Sequence, residues 1–355
     1  MPAVSVDTFF ACSLMVLLVL TAMATTSKVL YPYIENSAGK NKSMKAMEIS
    51  RYLLLTAGYP VNWGHDSQTV PSSLGFAFAE VAVPYDLDVD KISRLNSANR
   101  YSLSYAQMFS ALGMPDVSFR VQMDPCFNVT IELAGTYTLP SETVYEFGIM
   151  TDKNGLVVAS DLAWYVVAGE YLGSGTALAL EGRTSFNVTM QDVVDGPGLL
   201  VVFARSCYDD RMVSFGVHGF AHGSVSPEPA GIFLRLSPLN DVLDVYPLAE
   251  NLSMSDVYVV TFSHNFTLAS SGSSNQSALY GIPRLVGSSP IVLVATGWNG
   301  SGFFAEWTAY PQVPVVAGAD FAGTVGIAEV SAFQYVVSVR GGLYKCTIWV
   351  GGLRE

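Results

Sequence analysis

The chain has 355 residues, more than one typical domain. Thirty acidic against 18 basic residues give a formal net charge of -12, and no Lys/Arg cluster interleaved with aromatics offsets it, so a nucleic-acid partner is not expected. Charged residues make up only 14% of the chain while Tyr, Phe, Val, Thr and Gly are plentiful, which points to a mainly β protein.

The first element is a charge-free apolar run, Thr8 to Ser27, set between Asp7 and Lys28. At about 1.5 Å per helical residue it spans roughly 30 Å, the thickness of a hydrocarbon core. The expectation is an N-terminal transmembrane and stalk helix over 1–57, inserted through Phe9, Phe10, Leu14, Leu17, Leu18 and Leu20. A cleaved secretory signal is the alternative, with Ala22-Met23-Ala24 as its cleavage site, although Met1 to Asp7 carries no Lys or Arg. Lys28, Lys40, Lys42, Lys45 and Arg51 all follow the run. The positive-inside rule alone would put them in the cytoplasm. An upstream basic leader, or a helix whose final place is a filament core, resolves that conflict with the exterior signals described below.

Ala3-Val4-Ser5-Val6-Asp7 ahead of an uninterrupted apolar helix resembles the mature start of type IV pilin-like proteins. Cleavage before Ala3 would make Asp7 the fifth mature residue. The resemblance implies that this carboxylate pairs with a neighbouring subunit's N-terminal amine, because a buried charge is costly unless paired. The sequence departs from the family in having no Lys/Arg-rich leader before Ala3.

Val29 to Ala57 reads as helix, with a kink expected at Pro32, a weak point at Asn36 to Gly39 and a stop at Gly58-Tyr59-Pro60. The block 58–121 reads as a small α/β collar. Asp88 is a good N-cap for a helix through Asn96, Ser104 with Gln107 forms a capping box, and Gly113 ends that second helix. Val117 to Val121 alternates as a strand. Gly58-Tyr59-Pro60-Val61-Asn62-Trp63, Leu74-Gly75-Phe76-Ala77, Leu87 with Lys91, Arg94 and Leu95, Ser104-Tyr105, Leu112-Gly113 and Phe119 together resemble a pattern in archaeal membrane-anchored, pilin-like surface proteins. The likeness covers the first third of the chain. It implies a surface anchor with a variable exterior and carries over no catalytic residue.

From 122 to 225 the chain reads as an immunoglobulin-like β-sandwich. Phe127 to Leu133 alternates, Val144 to Met150 and Leu156 to Ala168 are strand runs, and Asn154-Gly155 is a hairpin turn. Phe186-Asn187-Val188-Thr189 repeats the Phe127-Asn128-Val129-Thr130 word; no longer repeat is evident. Leu199 to Ser206 and Met212 to His218 flank an Asp209-Asp210 turn. After the Ser226-Pro227-Glu228-Pro229 linker, 226–355 reads as a second β-rich sandwich domain. Its strand candidates are Val257 to Phe262, Ile291 to Thr296, Phe303 to Tyr310, Gly326 to Val339 and Tyr344 to Val350, with Ser270 to Ser277 as a flexible loop.

Cys126, Cys207 and Cys346 cannot all pair, so one disulfide with a spare thiol and three unpaired cysteines both stay open. Seven sequons, at Asn41, Asn128, Asn187, Asn251, Asn265, Asn275 and Asn299, exceed the roughly two or three that chance provides and favour a glycosylated exterior. The competing reading is that Asn-Val-Thr and Asn-Phe-Thr are simply strand-forming words.

No Gly-X-Ser-X-Gly elbow, Walker loop, dinucleotide fingerprint or His-Glu-X-X-His helix is present. His218 and His222 have helical metal spacing in a segment that reads as strand, without a third ligand. Asp86, Asp88 and Asp90 copy half a calcium loop, but Lys91 stands at the turn glycine and Ser97 at the bidentate glutamate, so helix capping explains them better. Asp209-Asp210 reads as a solvated turn. Trp164, Trp298, Trp307 and Tyr310 are aromatic enough to stack on sugars, yet such residues more often fill cores and corners. The expectation is therefore a cell-surface protein without catalytic residues, metal or cofactor. Its partners would be membrane lipid or sister subunits through the helix, and glycans or surface proteins through the sandwiches. An anchored carbohydrate-binding or carbohydrate-active ectodomain using Trp298 and Trp307 is the second reading; a secreted substrate-binding protein is the third.

Overall fold

The computed structural model describes residues 6–79, 83–192, 196–223, 226–274, 276–285, 289–300, 302–321 and 330–352, and all their side chains except those of 6–12, 27, 29–40 and 274. Helix α1 (Val6–Leu55) runs unbroken through Pro32 and 36–39, where the sequence suggests a kink and a weak point. Its last turns bury Ala46, Ile49, Leu53 and Leu54, so tertiary packing at one end fixes the helix that local propensity leaves in doubt. The apolar side chains described here lie between Ser13 and Thr26, about 20 Å of helix. Among the described residues no helix is long and apolar enough to cross a membrane.

The collar contains β1 (Asp86–Leu87), α2 (Val89–Ser93), α3 (Tyr105–Leu112) and β2 (Ser118–Pro125). Asp88 caps α2 by accepting from the backbone of Asp90 and Lys91, but the helix stops at Ser93, short of Asn96. Both bonds of the Ser104/Gln107 capping box form, and Gly113 closes α3 at φ 69°, a left-handed position that favours glycine.

Eight strands follow: β3 (Asn128–Thr138), β4 (Glu142–Lys153), β5 (Leu156–Val157), β6 (Ser160–Ala168), β7 (Tyr171–Ala179), β8 (Arg183–Gln191), β9 (Gly198–Ser206) and β10 (Val213–Phe220). Asn154 and Gly155 both take positive φ, turning β4 into β5 in the register Lys153–Leu156. Sheets β3-β4-β8 and β10-β9-β6-β7 close over a core that includes Phe147, Ile149, Val166, Val188, Leu200 and Val202. Two such sheets with this strand order make an immunoglobulin-type sandwich.

The next eight are β11 (Leu234–Leu239), β12 (Val242–Pro247), β13 (Ser253–Val260), β14 (Asn265–Thr267), β15 (Ser270–Ser274), β16 (Ser277–Gly281), β17 (Ile291–Trp298) and β18 (Phe303–Tyr310). Their sheets, β11-β12-β16-β15 and β14-β13-β17-β18, repeat the first sandwich strand for strand, with β5 and β15 as the additions. This repeat is invisible as sequence identity. Ser270 to Ser274 forms an edge strand paired with β16, not the free loop its Ser/Gly composition suggests.

The chain then returns to the collar through β19 (Val315–Gly318), β20 (Ser331–Val339) and β21 (Gly342–Gly351). The five-stranded collar sheet has the order β1-β20-β21-β2-β19, and α1 lies against β20 and β21. The expected division at 225/226 falls between the two sandwiches, after β10 and before β11, but the one at 121/122 cuts β2, and the end of the C-terminal block belongs to the sheet that carries the helix. Both sandwiches are an insertion between β2 and β19, which are hydrogen-bonded neighbours.

The sandwiches pack face to face. Tyr165, Val167, Leu199, Val201 and Phe203 from one meet Tyr258, Val260, Val292 and Val294 from the other, while alternate residues of the same strands fill the two sandwich cores. The central sheets thus have two dry faces, which is why β9 and β17 read as continuous apolar runs and β4 as a clean alternation. At the junction, the buried Glu306 carboxylate accepts from the backbone N–H groups of Gly231, Ile232 and Phe233 and pins the chain just after the Pro227–Pro229 linker.

Phe203→Ala empties the centre of the inter-sandwich face and is expected to lower stability by about 3–5 kcal/mol in urea denaturation. A loss below about 1 kcal/mol would show that this face does not contribute as a packed core. Glu306→Ala strands three amide donors and is expected to cost about 2–3 kcal/mol in the same assay, with Glu306→Gln closer to wild type.

Candidate functional site

From Leu14 to Leu20 every side chain of α1 is apolar and between 48% and 69% exposed, and Met23 is 66% exposed. Seven consecutive residues cover all faces of a helix, so this is not an amphipathic stripe resting on its own protein. Its hydroxyls fold back on the helix: Thr21 Oγ1 donates to Leu17 O at 2.9 Å, Thr25 Oγ1 to Thr21 O at 2.8 Å and Thr26 Oγ1 to Ala22 O at 2.7 Å. Asp7, Phe9 and Phe10 belong to the helix, but their side chains lie outside the described residues.

Five sequon asparagines, Asn41, Asn128, Asn187, Asn251 and Asn265, are exposed. Asn299 is half-buried and its Oδ1 accepts from Gly302 N at 2.9 Å. Asn275 lies outside the described residues. Asn128 and Asn187 sit on β3 and β8, the two strands that flank β4, so the repeated Phe-Asn-Val-Thr word places two acceptors on one sheet.

The aromatic candidates separate. Trp298 is 49% exposed, with Phe303 edge-on at 5.9 Å. Trp307 is half-buried in the inter-sandwich face, T-shaped on Phe215 at 6.1 Å, and lines a cleft of about 450 Å³ beside Glu306 and the linker. Trp164 stacks on Phe186 at 5.1 Å and lies over Gly175, where a Cβ would meet its ring at 2.3 Å. Tyr310 is fully buried. Trp164 and Tyr310 are thus packing residues, as the favoured reading has them, and Trp298 does not line the cleft that Trp307 lines.

Cys126 and Cys346 are buried free thiols whose pKa values burial raises, the latter to about 12, and Cys207 is free and exposed. His222 is held by Tyr145 Oη at 2.8 Å, and His218 packs edge-on to Phe147 at 6.1 Å inside the first sandwich. Asp209 pairs with Arg211 at 3.0 Å in an open turn.

The densest polar cluster belongs to the collar. Arg94, buried at the end of α2, donates through Nη1 to the carbonyls of Trp63, Asp66 and Thr69 and through Nε to Tyr101 O, folding the 63–69 segment around itself. Lys91, also buried, donates to Ala57 O and Ala77 O, both at 2.8 Å, and burial lowers its pKa to about 8. Gly64 lets this lysine approach, since a Cβ there would meet Lys91 Cγ at 2.7 Å.

That arrangement brings His65 to α2. His65 Nε2 is 3.1 Å from Asp88 Oδ2 and 3.6 Å from Asp90 Oδ2. Asp88 Oδ1 is occupied by the helix cap. Asp90 Oδ1 accepts from Tyr310 Oη at 2.6 Å and from Asn240 N at 2.8 Å. The hydrogen bond to Asp88 raises the His65 pKa. Burial works to raise Asp88, yet the bond and charge of His65 and the charge of Lys91 outweigh it and leave it lowered. Burial raises Asp90. The three side chains open onto a cleft of about 820 Å³ shared with Asp241, Arg284 and Arg340. Capping correctly accounts for Asp88, but the sequence does not reveal that Asp90 faces a histidine 25 positions away, because no local spacing links them.

No family model matches the chain and no curated protein matches it. Among solved structures it is similar to a marsupial T cell receptor, at 12% identity over 52% of this chain and 95% of that one, with a TM-score of 0.20. A bacterial ice-binding adhesin is similar at 9% identity over 52% and 62%, TM-score 0.19, and a titin I-band fragment at 8% over 62% and 87%, TM-score 0.16. At these scores the likenesses carry no functional argument, and the sandwich assignment rests on strand pairing.

Proposed function

We propose that this is a non-enzymatic cell-surface protein of pilin-like type, held through the apolar half of α1 either in a bilayer or in a bundle of sister helices, with the sandwich pair presented outside for adhesion or assembly. The observation that carries this reading is the all-round apolar exposure of Leu14 to Leu20 on a helix whose other end is locked onto the collar sheet. A helix that is hydrophobic on every face needs to be buried on every face, by lipid or by other helices. Its threonines satisfy their hydroxyls internally, as a lipid-facing helix requires. Exposed sequons on both sandwiches support the exterior placement.

Full-length protein is expected to stay with the membrane or filament fraction in carbonate and to need detergent for release. Protein lacking residues 1–27 should be monomeric in buffer with an unchanged unfolding midpoint. Full-length protein that is monomeric without detergent would overturn the reading. The exposure of Trp298 favours one second reading, a glycan-binding ectodomain. On a glycan array, binding by wild type that Trp298→Ala reduces at least tenfold would establish it, whereas an array without hits or with equal hits would remove it.

A further inference from the structure

We propose that His65, Asp88 and Asp90 bind one divalent transition-metal ion, of which zinc is the best match, and that this ion braces the 60–67 segment against α2. His65 Nε2 and the carboxylate oxygens lie within 4.8 Å of one another, with separations of 3.1 Å and 3.6 Å from Nε2 to the two Oδ2 atoms. Ligands about 2.1 Å from a tetrahedral zinc are about 3.4 Å apart, so those two separations bracket the required edge.

A hydrogen bond between His65 and Asp88 explains that pair alone. That bond does not involve Asp90. Asp90 is 3% exposed, and its Oδ2 lies 3.6 Å from His65 Nε2, within ion-pair distance and beyond hydrogen-bond reach. No lysine or arginine of the described residues forms an ion pair with it. Among the neighbouring cations, Arg284 and Arg340 both pair with Asp241 and Lys91 donates to two carbonyls, while Arg340 reaches Asp90 through charge alone.

The arrangement also has the outer layer that metal carboxylates require. In each aspartate one oxygen is fixed by other partners, Asp88 Oδ1 by the helix cap and Asp90 Oδ1 by Tyr310 and Asn240. The other oxygen is left to converge on His65. The ligand set of one imidazole and two carboxylates suits zinc better than the all-oxygen sites of calcium or magnesium. The cleft of about 820 Å³ gives the ion access and room for a water as fourth ligand. Because Tyr310 and Asn240 belong to the second sandwich, an ion on Asp90 links the collar segment to that domain as well.

The test is calorimetric titration of zinc chloride into chelator-treated full-length protein in detergent, with thermal unfolding alongside. One saturable equivalent is expected, together with a zinc-dependent rise in the unfolding midpoint. His65→Ala removes a side chain that is 37% exposed, and Asp90→Asn keeps an Oδ1 acceptor for Tyr310 and Asn240, so both variants are expected to fold. Each should weaken zinc binding at least tenfold and abolish the shift in midpoint. Absence of saturable zinc binding by wild type, or one equivalent bound equally well by either variant, would overturn the proposal. Binding of calcium in preference to zinc would overturn it too.

Discussion

The ladder between β2 and β21 is the constraint on which the rest depends. Ser118 to Pro125 pairs with Gly351 to Tyr344 across more than 200 residues of intervening chain, and the face it builds, from Phe119 and Val121 to Ile348 and Val350, is the surface on which α1 rests. Without it the helix would have no partner for Leu53 and Leu54, and the sandwiches would hang from a single connection. With it, the inserted domains leave and rejoin the collar on adjacent antiparallel strands. An insertion whose ends are so close disturbs its host sheet little.

The inserted pair solves a different problem. A sandwich normally leaves the outer faces of both sheets to solvent. Here the β10-β9-β6-β7 and β14-β13-β17-β18 sheets give up one outer face each to the other. Residues of β6, β9, β13 and β17 that would otherwise be polar are Val, Leu, Phe and Tyr, and the resulting unit has three dry layers in series. Such packing holds the pair as one body, whereas two sandwiches on a free linker would reorient. The bonds from Glu306 to the chain after the linker act in the same direction.

Much of the local structure was legible. Caps at Asp88, Ser104 and Gly113, the Asn154-Gly155 hairpin and the alternating strands of the first sandwich follow from short-range rules, and the structure contains each of them. The residues of the pilin-like pattern, Trp63, Leu74, Phe76, Lys91, Arg94 and Phe119, prove to be the buried frame of the collar. Partner choice was not legible. Periodicity marks a strand without saying what it pairs with, so the return of β19 to β21 to the collar and the duplicate order of the second sandwich stayed hidden. The weak strands β14 and β15, built from Asn-Phe-Thr and a Ser/Gly run, draw their order from neighbours that already pair. His65 was missed for the same reason, since its meeting with Asp90 depends on the loop that Arg94 folds.

How the collar holds the sandwich pair in one orientation follows from the kind of contact between them. Apolar surfaces attract without direction and tolerate sliding. The junction of α2 and the 96–103 loop with the second sandwich is instead a set of directional bonds: Asn99 Nδ2 to Pro238 O and to Gln312 Oε1, Arg100 N to Ser237 Oγ, Tyr101 Oη to Asp244, and Tyr310 Oη to Asp90. Each is satisfied only in one register, and a slipped arrangement would strand buried amide and carboxylate groups at a cost of about 1–3 kcal/mol apiece. Orientation is thus set by polar groups and adhesion between layers by apolar ones. The collar and the two sandwiches are thereby held in one arrangement, with Asp90 at the point where the collar passes into the sandwich pair.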